Sequence, residues 1–158
     1  MDVQIRPIRE REIPLLEEFL YEAIWQPGPG KRLPREVVYS PALRPYVEAF
    51  GEREGDCCLV GTVGGRVVGA VWCRCLHGYG WVDAATPELA VALCPEWRGR
   101  GIGTQLLRAM LDELRRRGFC AVSLSVQRDN PAARLYPRLG FRVAEERGGE
   151  WIMLCELR

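Results

Sequence analysis

The sequence predicts a mixed α/β fold (α+β mixed sheet), with helices flanking a sheet built from both hairpin and crossover connections. Three observations predict it. A helical stripe over residues 102–117 lies between two strand-like runs, 88–94 and 121–126, which makes a βαβ unit with parallel strands. The dipeptides Gly64-Gly65 and Gly148-Gly149 each separate two strand-like runs, the turn chemistry of antiparallel hairpins. The chain's 158 residues, 47% hydrophobic and 27% charged, suit one domain with a real core and exclude a disordered or fibrous chain.

Taken in order, residues 3–8 (VQIRPI) alternate as a strand, which Pro7 confines to an edge or a strand end. Residues 11–25 (REIPLLEEFLYEAIW) set Ile13, Leu16, Leu20 and Ile24 at helical spacing, and QPGPGKRLP ends that helix. A second helical segment, split around Pro41 and Pro45, covers residues 35–51 and stops at Gly51. The hairpin of residues 56–76 follows, then the loop HGYGWVDAATP and the strand 88–94. In the helix 102–117, Ile102, Leu106, Leu107, Met110, Leu111 and Leu114 form one apolar stripe. Arg115, Arg116 and Arg117 fall in its last turn, where positive charge suits the dipole, and Gly118 supplies the left-handed cap. That arginine run reads as a solvated helix end. After the strand AVSLSV, Asn130 and Pro131 open a short helix as N-cap and first residue, and a second hairpin closes the chain.

Charge and cysteine content exclude several functions. With 22 basic and 21 acidic side chains the formal charge is +1, so no whole-molecule field draws the chain to nucleic acid or an anionic membrane. No apolar run approaches the roughly 18 residues of a membrane span, and MDVQIRPIRE lacks the core of a signal peptide; a cytoplasmic protein is expected. The seven cysteines include no C-x-x-C pair, and His77 is the only histidine, which argues against disulfides and against a metal site. The thiols read as small buried side chains in strands.

The stretch CPEWRGRGIGTQLL carries the chemistry. A strand running straight into a helix leaves the first helical N–H groups unpaired, and Gly99, Gly101 and Gly103 let them turn toward a ligand, with Arg98 and Arg100 adding charge. That is a phosphate cradle. A nucleoside-triphosphate loop requires G-x-x-x-x-G-K followed by Ser or Thr, which is absent. A dinucleotide fingerprint requires G-x-G-x-x-G, whereas these glycines run G-x-G-x-G.

Arg98-Gly99-Arg100-Gly101-Ile102-Gly103 resembles the Gln/Arg-x-x-Gly-x-Gly/Ala signature of the Gcn5-related N-acetyltransferases, and NPAARLYPRLGF resembles that family's N-x-x-A-x-x-x-Y-x-x-x-G-F. The resemblance runs from residue 56 to the C-terminus. It implies a single N-acetyltransferase domain over residues 1–158 with a central sheet splayed around acetyl-coenzyme A as cosubstrate, an amine as acceptor, and no metal. The diphosphate would lie on Arg98, Gly99, Arg100, Gly101, Ile102, Gly103 and Thr104; Asn130 would add a contact, and backbone groups of Leu93 and Cys94 would pair with the pantetheine arm.

Tyr136 falls at the family's acid position, although Pro137 disfavours helical geometry in the residue before it. Glu88, opening its strand, falls where family members place a base; an exposed strand end beside Pro87 is the competing reading. Ser125 stands where members acting on ribosomal protein N-termini carry a glutamate, which argues against that substrate class. Trp25, Tyr39, Tyr46, Tyr79 and Trp81 are candidates to wall the acceptor pocket. The competing function is a coenzyme A sensor without turnover. A homodimer, the commonest oligomer, is compatible with the sequence.

Overall fold

A computed structural model describes residues 2–27, 30 and 32–158. Part of the break QPGPGKRLP lies outside these residues. Seven strands form one sheet: β1 (Gln4–Pro7), β2 (Cys57–Val63), β3 (Arg66–Arg74), β4 (Glu88–Leu93), β5 (Ala121–Gln127), β6 (Phe141–Arg147) and β7 (Glu150–Glu156), in the order β1-β2-β3-β4-β5-β7-β6. All neighbours are antiparallel except β4 and β5, which α2 (Ile102–Arg116) connects as the parallel crossover. β1, with its proline, is an edge strand.

Two apolar layers bury the sheet. The α2 stripe packs on one face with Val122, Leu124, Val126 and Met153. On the other, α1 (Leu15–Ala23) contributes Leu16, Phe19 and Leu20 against Val60, Ala70 and Trp72. Sheet alternation therefore assigns each β4 residue a side: Leu89, Val91 and Leu93 toward α2; Ala90 and Ala92 toward α1.

The helices before β2 are shorter than the pattern predicts. The expected helix 11–25 is a 3₁₀ turn at Glu10–Glu12 followed by α1, because Pro14 supplies no N–H for a continuous ladder and sits at the α1 N-cap. The expected segment 35–51 contains no α-helix, only 3₁₀ turns at Arg35–Tyr39 and Arg44–Tyr46. Pro41 and Pro45 each delete a donor that a helix would need, and the first turn ends just before Pro41. The cysteines are all unpaired; Cys57, Cys58, Cys73 and Cys155 are buried, whereas Cys120 is exposed.

Candidate active site

β4 and β5 share a single register pair, Glu88 with Ser123. Beyond it the strands part, and a cavity of about 440 Å³ occupies the gap. Val91, Ala92 and Leu93 line one side, Gly103 and Leu107 of α2 with Asn130 and Tyr136 another, and residues 22–26 with Arg32 and Arg98 a third.

The turn into α2 has the geometry of an anion cradle. The first helical bond runs from the Gln105 N–H to the Gly101 carbonyl, so the amides of Ile102, Gly103 and Thr104 have no acceptor within the helix. Gly99 and Gly101 hold φ of 75° and 81°, which explains why they are glycines, since a Cβ would meet nothing at either. Gly103 differs. Its backbone is ordinary helix and an added Cβ would find only Leu93 Cδ1 at 3.9 Å, so neither strain nor protein packing demands glycine. What a Cβ would occupy is the cavity. An elongated ligand with a phosphate end fits this arrangement.

The remaining cradle residues divide. Arg98 lines the cavity and donates from Nη2 to the Glu22 carboxylate at 3.2 Å, linking the turn to the end of α1. The Arg100 guanidinium stacks on the Trp97 ring at 4.7 Å. Ile102 is buried in the core and Thr104 is half-buried, so each faces the cradle through its amide. Leu93 lines the cavity. The Cys94 N–H is engaged, donating to the Val68 carbonyl at 2.9 Å, and its carbonyl accepts the Trp97 N–H at 2.9 Å, which leaves that oxygen one lone pair as its remaining backbone capacity. In an antiparallel ladder alternate residues face alternate edges, so the free edge belongs to Leu93 and Val91.

Asn130 lines the cavity and caps the next turn, its Oδ1 accepting the Ala132 N–H at 2.9 Å. This chain has one residue fewer between Asn130 and Tyr136 than the N-x-x-A-x-x-x-Y pattern. The structure absorbs the deletion by winding Pro131–Arg134 as 3₁₀ helix before α3 (Leu135–Arg138). Four residues wound this way gain about 80° of rotation and about 2 Å of rise over α-helix, close to what the missing residue would add. Tyr136 thus reaches the cavity wall. Pro137 does not keep Tyr136 out of helical geometry, because it falls in the first turn of α3, where no intrahelical acceptor awaits its N–H. Burial pushes the Tyr136 phenol up to about 12.

Glu88 is no exposed strand end; it is 3% exposed. The loop 77–87 crosses over it, anchored by Ser123 Oγ donating to the Gly80 carbonyl at 2.7 Å and by Arg147 donating to the carbonyls of Tyr79 and Trp81. Burial raises the carboxyl to about 7, against a hydrogen bond from Tyr46 and the nearby Gly80 amide, and Oε1 is buried with no side-chain partner. Glu88 does not line the cavity that holds Tyr136; three steps along the strand, roughly 10 Å, separate it from Val91. Of the aromatic candidates, Trp25 lines the cavity, Tyr46 contacts Glu88, Trp81 stacks on His77 at 4.2 Å, and Tyr39 is exposed and bonded to Glu17. The sequence reading missed Glu22 and Val91: an acidic side chain on a helix and a valine in a strand carry no signal of what they face.

A strand pair prised apart above a helix-start anion site defines a protein shaped for a long, phosphate-bearing carrier. The acetyltransferase (GNAT) family model matches residues 18–141, and the chain belongs to that family. A mycothiol acetyltransferase of Corynebacterium glutamicum is 44% identical over 73 residues, 43% of this chain and 25% of that protein. An uncharacterized N-acetyltransferase of Methanocaldococcus jannaschii is 33% identical over 117 residues, 70% of this chain and 50% of that one. The chain thus spans between a quarter and a half of these relatives. The fold matches the PaiA N-acetyltransferase of Thermoplasma acidophilum, solved in complex with coenzyme A, at a TM-score of 0.73 and 20% identity over 99% of both chains. Among the described residues no helix is long and apolar enough to cross a membrane.

Proposed function

We propose that this chain is an N-acetyltransferase that moves an acetyl group from acetyl-coenzyme A to a primary amine. The observation that carries the reading is the cavity between β4 and β5, which has unpaired helix-start amides, a glycine kept bare at Gly103 and a buried phenol in one lining. Bound acetyl-coenzyme A supplies the acyl group as an activated thioester. Arg98 and the amides of residues 99–104 would hold its diphosphate. The free β4 edge at Val91 and Leu93 would pair with its amide-bearing arm as an added strand, and Asn130 would border that arm.

The chain's own side chains then handle protons. Tyr136, held neutral by burial, has a proton to give to the departing sulfur. Glu88, with a carboxyl near 7, takes the proton of the acceptor amine through intervening water, which the distance to Val91 requires. Near-neutral charge and unpaired cysteines support a cytoplasmic setting.

The test is thiol release from acetyl-coenzyme A by the purified chain across a panel of small amines, amino acids and peptides. Amine-dependent release supports the reading. Coenzyme A binding without release by any amine would make the chain a sensor.

A further inference from the structure

Glu88 has a natural partner that the structure diverts. In the β3–β4 ladder its Cα lies opposite Arg74, and directly opposed side chains sit roughly 4.5–5.5 Å apart at Cβ, close enough for an ion pair. Arg74 turns instead to Asp56, donating from Nε at 2.9 Å and Nη2 at 2.7 Å. Its Nη1 donates to the carbonyls of Pro45 at 2.9 Å and Glu48 at 2.6 Å, and Trp72 Nε1 donates to the Tyr46 carbonyl at 3.2 Å. Side chains of β3 thereby fasten the segment 45–48 to the sheet. What they gain is the position of one phenol.

The Tyr46 oxygen accepts the Tyr79 N–H at 2.9 Å, which commits its single proton to the bond with Glu88 Oε2. Oε1 is buried and bonds to no other side chain, and the Gly80 amide beside the carboxylate adds to Tyr46 in favouring its ionised form. The loop can lie this close only because residue 78 is glycine: a Cβ there would fall 2.8 Å from Oε1 and collide with the Tyr46 hydroxyl. Burial and the neighbouring carboxylate push the Tyr46 phenol upward, so it keeps its proton.

We propose that Tyr46 is a positioning residue for acetyl transfer: by occupying Oε2 it orients Glu88 so that Oε1 alone receives the proton of the acceptor amine. The proposal rests on Glu88 acting as the base. Other charged groups around Glu88 are accounted for. Glu150 opposes its ionisation and Arg147 favours it, and Arg147 is paired with Glu145. On the crossing loop His77 stacks on Trp81 and Asp83 accepts from Ala85 and Thr86.

Because the Tyr46 bond favours the carboxylate, removing it raises the proton affinity of Glu88. In Tyr46→Phe the acidic limb of the kcat/KM profile should move upward by roughly one to two pH units, the size a charge-assisted hydrogen bond supports. Rate should recover at high pH, with the KM for acetyl-coenzyme A unchanged. A loss equal at every pH, or an unmoved limb, overturns the proposal. Carbon-13 NMR titration of Glu88 reads the same shift without turnover. Should Tyr46→Phe fail to fold, difluorotyrosine at 46, a stronger donor of the same shape, should move the limb downward, and an unmoved limb again overturns it. Glu88→Gln separates the two readings: loss of the limb there with an unmoved limb in Tyr46→Phe removes the positioning role alone, whereas wild-type turnover in Glu88→Gln removes the base and Tyr46 with it.

Discussion

Gly103 separates two reasons for a glycine. At Gly99 and Gly101 the positive φ demands it, whereas at Gly103 the only thing a methyl would meet is the cavity and one leucine. Gly103→Ala should therefore raise stability by up to about 1 kcal/mol through helix propensity and at the same time weaken coenzyme A binding. Calorimetry with coenzyme A alongside thermal melts checks the opposite signs. For Tyr136, removal of a proton donor should appear in turnover: Tyr136→Phe should lower kcat by about 10²–10⁴, with the KM for acetyl-coenzyme A little changed, measured by thiol release. For Glu88, the proposed base role needs the ionised carboxylate, so activity should rise with pH through about 7 in the wild type, and this limb should vanish in Glu88→Gln. The residue types of this site were legible in the sequence as a string. Their environments were not. That Glu88 is buried, and that the Cys94 N–H is already engaged, follow from what lies on each: the crossing loop over one, β3 against the other.

At the scale of elements, the parallel pair β4 and β5 is the working part, because its single shared register pair leaves one edge of β4 free. The turn after β5 matters as much. Asn130 caps a tightened 3₁₀ turn that compensates a one-residue deletion and carries Tyr136 to the cavity. Asn130→Ala should cost about 0.5–2 kcal/mol, seen in denaturant unfolding, and should also lower kcat by letting α3 shift. Both hairpins, α2 with its cap and the crossover were readable from period and turn residues, since these are local signals. The segment 35–51 was not: its apolar spacing is helical, yet Pro41 and Pro45 and the pull of Arg74 on its carbonyls leave only 3₁₀ turns.

Across the whole molecule, the buried Arg74–Asp56 pair holds the segment 45–48, which carries Tyr46, against the sheet. Burial opposes ionisation of Asp56, but Arg74 and the amides of Gly51 and Arg53 outweigh it and hold its carboxyl below the usual aspartate range. A depressed folded pKa stabilises above the unfolded value, so this contribution should persist at neutral pH and fade as the pH falls below about 4. Asp56→Asn leaves a buried guanidinium uncompensated and should cost about 3–5 kcal/mol, a fall in Tm of roughly 6–20 °C. Acetyl-coenzyme A at about 100 times its Kd should add about 2.7 kcal/mol of apparent stability, and ATP and NAD should add much less. What the amino-acid sequence determined by itself was the strands with their hairpins and crossover, the cradle and its family, because hydrophobic period, turn glycines and helix starts act between near neighbours in the chain. Which carboxylate lies buried, which phenol bonds to it and which strand edge stays open were decided only by the tertiary structure, because desolvation and hydrogen-bond pairing depend on segments as far apart in sequence as Tyr46, Tyr79 and Glu88 meeting in space.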